Sequence, residues 1–248
     1  MLEVLIYVAI VAVLLSILLP AMNSARSLSM RSVCADNQRE LGVALASYLE
    51  EHSEFPGVAY QPSWWYGGVR YSSVTGRANI DHGRPLNPYV SRLSNSTEPH
   101  ELPRPFCCPA DAGITDSTGL LGTGSRTACE AFGTSYRANP RLFHARETDL
   151  HGAARGVRAG EITASPSRLL VLGDPVWYET RADTGRNADW HGEEGHGNLL
   201  FLDGAVRFQA VGRDDTGGPV LFEPDTPSGR RPVGEAETMF KNATLPRR

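Results

Sequence analysis

The chain has a single lysine, Lys241, and no dense block of basic residues. Its 24 Lys and Arg residues are outnumbered by 28 Asp and Glu residues, which gives a net charge of −4. Binding of nucleic acid through a basic face requires clustered Lys and Arg side chains. We therefore expect no nucleic-acid partner.

The sequence also lacks the short motifs that mark the common catalytic sites. It contains no G-x-S-x-G, no P-loop, no H-E-x-x-H and no C-x-x-C. Ser135, His191 and Asp174 are residue types found in hydrolytic triads, but a triad is defined by geometry and not by loose spacing. We therefore predict that the protein is not an enzyme.

A long uncharged segment lies near the N-terminus. The nineteen residues from Val4 to Met22 carry no charge, which is enough for a helix to cross a hydrocarbon layer of about 30 Å. No basic region precedes this segment and no small-x-small pattern follows it, so a cleaved signal peptide is disfavoured. A carboxylate near the end of a spanning helix is costly to bury, so Glu3 indicates a cationic partner. The alternative is a plain signal-anchor in which Glu3 has no role.

The helical pattern continues beyond the apolar segment. Residues 23–54 place apolar side chains at helical spacings with charged residues between them. Pro20 need not end the helix, because membrane helices tolerate proline. Breaker residues from His52 to Gly57 then close it. We predict one helix with a transmembrane half over residues 1–22 and an amphipathic half over residues 23–54.

The rest of the chain is rich in turn residues, with 25 Gly and 17 Pro in the whole sequence. The clearest local unit is a hairpin over residues 199–210, with Asp203-Gly204 as a two-residue turn that needs positive φ. We expect an α+β fold in which the long helix packs on a loop-rich, mostly antiparallel β domain over residues 55–223. Residues 224–248 are predicted to be extended or partly disordered. Other strand-like runs are residues 69–74, 169–172 and, more weakly, 220–222.

The four cysteines are Cys34, Cys107, Cys108 and Cys129. A bond between the two adjacent cysteines would be strained. Excluding it leaves two connectivities, each of which joins Cys34 to one of the adjacent pair and Cys129 to the other. Such bridges persist outside the cytoplasm. The alternative is that Cys34 is simply a small buried apolar residue, whereas the tight 107–108 spacing disfavours a zinc knuckle.

Four short segments follow the helix in a set order. They are FCCPAD at 106–111, SYRAN at 135–139, LVLGD at 170–174, and the stretch from His191 through Asn198 to Asp203-Gly204-Ala205-Val206. Together with Leu2-Glu3-Val4-Leu5-Ile6, the apolar span and Pro20, they resemble the type IV pilin and type II secretion pseudopilin superfamily. Within it, the chain is similar to proteins of the prepilin-type N-terminal cleavage/methylation class that carry a C-terminal H-x9-DG-like motif.

This resemblance implies a membrane-anchored structural subunit that assembles through its N-terminal helix into a type IV pilus or a type II secretion-like filament. Glu3 would pair with the N-terminal amine of a neighbouring subunit, and Pro20 follows Glu3 at the family's spacing. The resemblance places the protein in the inner membrane as a single-pass subunit, with its C-terminal domain periplasmic or otherwise extracytoplasmic. Its partners would be other pilin-like subunits and the pilus or secretion machinery.

The family's leader and its methylated Phe would precede Met1 in this numbering. We therefore expect a start site upstream and processing by a prepilin peptidase. The alternative is a copy that has lost its processing site, but this would also remove the positive charges that orient the helix.

Either of two histidines could match the C-terminal motif. Eleven residues separate His191 from Asp203 and six separate His196 from Asp203, and we favour His191. His191, Asp174 and Asp203 on one sheet edge could bind a divalent metal, and the resemblance to secretion pseudopilins implies a structural Ca²⁺ as the first cofactor candidate. The favoured alternative is that His191 is a hydrogen-bonded loop residue and that Asp203-Gly204 only forms a turn.

A different class of function fits the same layout. The chain could be a non-assembling, envelope-anchored binding module whose β domain holds a glycan, a protein or a metal. The two hypotheses differ at Glu3, because replacing it with Ala should prevent incorporation into a filament but should not affect an anchored binding module.

Overall fold

The computed structural model of the protein describes residues 2–58, 63–72, 77–79, 84–90, 104–113, 127–143, 147–148, 154–162, 165–177, 190–193, 195–213 and 219–221. In these ranges one long helix, α1 (Leu2–His52), precedes a small domain of antiparallel strands. The predicted α+β fold is confirmed. The tail predicted over residues 224–248 lies outside the described residues.

Ten strands and two further α-helices follow α1 in the described ranges. They are β1 (Glu54–Pro56), β2 (Arg70–Ser72), β3 (Arg77–Asn79), α2 (Ala128–Phe132), β4 (Arg137–Ala138), α3 (Pro140–Phe143), β5 (Glu147–Thr148), β6 (Ala154–Arg158), β7 (Leu170–Gly173), β8 (His196–Phe201), β9 (Val206–Arg213) and β10 (Pro219–Leu221). The strand-like runs predicted from the sequence fall on β2, β7, β8, β9 and β10. The short strands β1, β3, β4, β5 and β6 were not predicted.

The strands form three antiparallel sheets. The largest has the order β10-β9-β8-β7-β4, and its neighbouring strands all pair antiparallel. β1, β6 and β5 form a three-stranded sheet with β6 in the middle, and β2 pairs with β3. The β7–β8–β9 centre of the large sheet positions Asp174, Asn198 and Phe208.

Helix α1 has two halves with different surroundings. Every side chain from Glu3 to Arg26 is exposed, and the helix runs through Pro20 without ending. By length and composition it can cross a membrane. Beyond Arg26, buried residues recur every three or four positions and so form one face of the helix: Cys34, Gln38, Leu41 and Leu45.

α1 ends two residues before the predicted boundary at residue 54. The helix ends at His52, and Ser53 takes a positive φ of 58°. The Ser53 N–H donates to the Leu49 carbonyl at 2.8 Å, which closes the last turn. β1 begins directly afterwards, at Glu54.

The inner face of α1 lies directly on the large sheet. Leu41, Ala44 and Leu45 belong to the same buried cluster as Leu172 and Leu200. At Gly42 the helix approaches β8 so closely that a Cβ would lie 3.2 Å from Cδ1 of Leu200. A small residue at this position therefore brings the helix backbone close to the sheet.

The loop of the β8–β9 hairpin is longer than predicted. Phe201 N–H donates to Ala205 O and Gly204 N–H donates to Phe201 O, both at 2.9 Å, so the loop contains three residues, Leu202 to Gly204. Gly204 has a φ of +81°, whereas Asp203 does not take a positive φ. The predicted two-residue turn is therefore wrong, although its glycine is needed. A three-residue loop with one left-handed residue is among the next most common hairpin connections after the two-residue turns.

Gly68 marks a close approach of two backbone segments. Its φ is +86°, and a Cβ added there would lie 1.8 Å from the Gly133 carbonyl oxygen. A side chain at this position therefore meets both backbone strain and a collision with backbone that cannot move aside.

Replacing Gly68 with Ala should lower the free energy of unfolding by about 2–4 kcal/mol, from left-handed strain and overpacking together. Urea unfolding of the full chain in detergent micelles measures the change. Gly160→Ala is the matched control, because a Cβ there meets nothing within 4 Å. The urea midpoint of this variant should hardly move. Equal midpoints for the two variants would contradict the close approach at Gly68.

Candidate functional site

Two of the residues singled out from the sequence, Asp174 and His191, meet beside the end of β7. Asp174 directly follows β7, and His191 lies in the loop that precedes β8. Nε2 of His191 lies 3.1 Å from Oδ2 of Asp174, and the two side chains are only 1% and 2% exposed. His191 Nδ1 has no hydrogen-bond partner among the described residues. The contact between the His191 and Asp174 side chains is therefore made through Nε2 of His191.

The Asp174 carboxylate also accepts hydrogen bonds from two other elements. Gln38 of α1 donates from Nε2 to Oδ1 at 3.0 Å, and the backbone N–H of Asn198 in β8 donates to Oδ2 at 2.7 Å. The Asn198 side chain in turn donates to the Arg31 carbonyl of α1 at 3.1 Å. A buried carboxylate needs such donors to offset its lost hydration. Asp174 thus joins the helix to two central strands.

Asp203 lies away from this pair. It is at the exposed tip of the β8–β9 hairpin, where its Oδ1 accepts the N–H of Ala205 at 3.0 Å. Since β7 and β8 run antiparallel, the tip after β8 lies beside the start of β7, whereas Asp174 follows the end of β7. The predicted convergence of His191, Asp174 and Asp203 on one sheet edge is therefore wrong.

The predicted Ca²⁺ does not fit the remaining residues. Ca²⁺ takes about six to eight oxygen ligands. Asp174 is the one carboxylate in contact with His191 among the described residues, and its two oxygens already accept hydrogen bonds from Gln38 and Asn198. The pair therefore offers too few oxygens to hold calcium.

A disulfide lies against the Asp174–His191 pair. Cys34 of α1 is bonded to Cys108, and Cys107 is bonded to Cys129 of α2. The structure thus has one of the two connectivities that the sequence leaves open. Sγ of Cys108 is 3.8 Å from Nε2 of His191. The covalent link and the buried carboxylate therefore hold the same part of α1 to the β domain.

A second carboxylate, the partly buried Asp111, organises the cysteine-rich loop. It accepts three backbone hydrogen bonds at 2.8–3.0 Å, from Gly113, Ala128 and Cys129. It also accepts the Ser135 hydroxyl at 2.6 Å. Burial raises the pKa of the Asp111 carboxyl above its ordinary value, and these hydrogen bonds act in the opposite direction. Ser135 Oγ accepts the Cys108 N–H at 3.0 Å, which connects this carboxylate to the disulfide.

Two polar residues of α1, Asn37 and Gln38, take part in this junction and were missed in the sequence. Asn37 Nδ2 donates to the Cys107 carbonyl at 3.0 Å and to the Tyr136 hydroxyl at 3.3 Å. Gln38 is fully buried on the face that Cys34 and Leu41 share. The available signal was a polar residue at an apolar position of the helical pattern.

A cleft of about 420 Å³ opens beside His191, between residues 23–31 of α1 and residues 191–193. Arg31 crosses it, with Nη1 3.1 Å from Oε1 of Glu193 and Cζ 4.1 Å from the centre of the Phe208 ring. His196, the other candidate for the C-terminal motif, stacks on that ring at 5.6 Å. His191 is therefore the histidine that contacts Asp174, and His196 lines the neighbouring part of the sheet.

The residues that the resemblance assigns to assembly lie in the exposed half of α1. Glu3 and Pro20 both precede the part of the helix that packs on the β domain. The described part of the chain therefore holds two separate groups of candidate residues. One is the exposed apolar half of α1, with a carboxylate near its start. The other is the buried junction around Cys34, Asp174 and His191.

These features define a helix-plus-β protein. The apolar first half of α1 continues without a break into its second half, which is disulfide-bonded to the β domain. Comparison with known proteins finds no matching family model, no matching curated protein and no matching solved structure. The geometry and the sequence pattern are therefore the grounds for assigning a function.

Asp174→Asn should destabilise the protein by about 1–3 kcal/mol, because its amide places an N–H opposite a buried donor. Urea unfolding in detergent measures this loss. Asp203→Asn is the matched control: its Oδ1 can still accept the Ala205 N–H, so its midpoint should not move. A larger loss for Asp203→Asn than for Asp174→Asn would contradict the structural role of Asp174.

The two disulfides should contribute unequally to stability. They join residues 74 and 22 positions apart, and chain entropy assigns about 4.5 kcal/mol to the first and about 3.4 kcal/mol to the second. Cys34→Ser/Cys108→Ser should therefore cost more than Cys107→Ser/Cys129→Ser in thermal unfolding under non-reducing conditions. The reverse order would show that the helix–domain link is not the main covalent constraint.

Proposed function

We propose that the protein is a membrane-anchored, pilin-like structural subunit that assembles through its N-terminal helix. The observation that carries the proposal is the form of α1. Its largely apolar first half is exposed, while its second half packs on the β domain. The resemblance to pilins and pseudopilins in the sequence pattern supports the same function.

The exposed half of α1 needs an apolar environment. Tyr7 is 70% exposed and Ile17 is 69% exposed, and apolar side chains surround the helix on all sides through this region. Leaving so much apolar surface in water costs about 25 cal/mol per Å². Lipid satisfies this surface in the anchored subunit, and neighbouring helices would satisfy it in a filament.

Glu3 supplies the reason to prefer assembly over simple anchoring. Its carboxylate is near the start of a segment that would lie in hydrocarbon, where an unpaired charge is costly. Pairing with the N-terminal amine of an adjacent subunit would neutralise that charge. The same pairing would set the offset between successive subunits.

The helix–domain junction suits a subunit that is moved by its helix. A disulfide and a buried carboxylate both connect α1 to the domain, so displacing the helix moves the domain with it. Two disulfides also fit a domain outside the cytoplasm. We propose a single pass through the inner membrane, an extracytoplasmic domain, and pilin-like subunits, assembly machinery and a prepilin peptidase as partners.

The cleft beside His191 favours a second candidate, the non-assembling envelope-anchored binding module. Arg31 and Glu193 place opposite charges in this cleft, and Ser27 donates to the His191 carbonyl at its base. A polar ligand could replace the ion pair between them. In that case the exposed half of α1 would serve only as an anchor.

Glu3→Gln separates the two functions. The variant should stay in the membrane fraction, because losing a charge eases insertion, but its amount in sheared, sedimented filaments should fall more than about tenfold. Quantitative immunoblotting of both fractions from the native host measures this. Glu50→Gln is the matched control, since Glu50 is an exposed carboxylate on the same helix beyond the apolar segment.

Two outcomes would contradict assembly through Glu3. One is a Glu3→Gln protein that enters filaments as well as Glu50→Gln does. The other is a wild-type protein that sediments only with membranes, which would favour the anchored binding module.

A further inference from the structure

We infer that, when its Cys34–Cys108 disulfide is reduced, the protein binds a zinc ion through Cys34, Cys108 and His191. The ion would take the place of the S–S bond as the link between α1 and the β domain. This inference does not depend on whether the protein assembles into a filament.

The ligand atoms already have nearly the spacing that zinc requires. Sγ of Cys34, Sγ of Cys108 and a ring nitrogen of His191 lie within 4.8 Å of one another, and all three residues are buried. Bond lengths of about 2.3 Å to sulfur and about 2.0 Å to nitrogen place tetrahedral ligands about 3.5–3.8 Å apart. The Cys108 Sγ to His191 Nε2 distance is 3.8 Å.

Asp174 contacts His191 but lies outside this group of three. Its Oδ2 is 3.1 Å from His191 Nε2, whereas the ligand atoms that lie within 4.8 Å of one another come from Cys34, Cys108 and His191 alone. Gln38 and the Asn198 N–H hold the carboxylate in place beside the histidine. Three protein ligands leave the fourth position of a tetrahedral zinc to water.

The chemical step balances with a dithiol reductant. The dithiol gives two electrons and two protons to the Cys34–Cys108 bond, which yields two thiols, and is itself oxidised to a disulfide. Zinc binding then releases the two thiol protons, because thiolates are the ligands. His191 coordinates through Nε2, whose proton moves to Nδ1. The sulfurs separate from bonding distance to about 3.8 Å, a shift that side-chain rotation can supply.

The second cysteine pair lacks these neighbours. In the ranges that the structure describes, Cys34, Cys108 and His191 form a metal-sized group, and no third ligand residue groups with Cys107 and Cys129. Reduction of both disulfides should therefore create one zinc site and not two.

The test uses Co²⁺ as a spectroscopic probe of the full chain in detergent micelles, on a Cys107→Ser/Cys129→Ser background. A phosphine reductant opens the remaining disulfide, taking up one oxygen atom from water, and does not supply competing thiols. We expect one Co²⁺ per chain, with thiolate charge-transfer absorption and the strong visible bands of tetrahedral cobalt, all lost when Zn²⁺ is added. The oxidised protein should show none of these bands.

Two single variants show whether the ion sits at this junction. His191→Gln should weaken Co²⁺ binding more than about 100-fold, and His196→Gln is the matched control that should leave binding unchanged. Equal affinities for these variants would mean that thiolates alone hold the ion, as they could in an unfolded chain, and would overturn the inference. Absence of cobalt bands in the reduced protein, or equal bands in the oxidised protein, would also overturn it.

Discussion

The hydrogen bond from Gln38 to the buried carboxylate of Asp174 is the interaction on which the rest of the arrangement depends. A carboxylate with 2% side-chain exposure requires donors, and here they come from α1, from β8 and from His191. Because these donors belong to separate parts of the chain, satisfying one charge fixes the helix, the sheet and the loop before β8 relative to one another. The disulfide at Cys34 then makes this arrangement covalent.

The motif segments in the sequence share a structural role at this junction. Asp111 organises the cysteine-rich loop, Tyr136 accepts a bond from Asn37, and Asp174 binds Gln38. These segments contact α1 between Cys34 and Gln38, about one helical turn. Their order along the chain therefore reflects one helix-docking site, while the Asp203-Gly204 pair lies at the hairpin tip, away from that site.

The sequence was most informative where structure is local. The bounds of α1 follow from an apolar run and its breakers, and the need for Gly204 follows from turn chemistry. The partners of Asp174 could not be predicted, because they depend on the β7–β8 register and on how α1 is rotated about its axis. The same limit explains why Asp203 was expected beside His191 and why two cysteine connectivities stayed open. Periodicity identifies a buried face but does not say which polar groups meet there.

The adjacent positions of Cys107 and Cys108 have a consequence for a chain that is cut. One disulfide spans residues 34–108 and the other spans residues 107–129, so the two covalent rings overlap at a single peptide bond. A protease that cleaves once anywhere between Cys34 and Cys129 leaves both fragments joined through sulfur. A nicked molecule would therefore keep its domain attached to its anchor, and the break would become visible only after reduction.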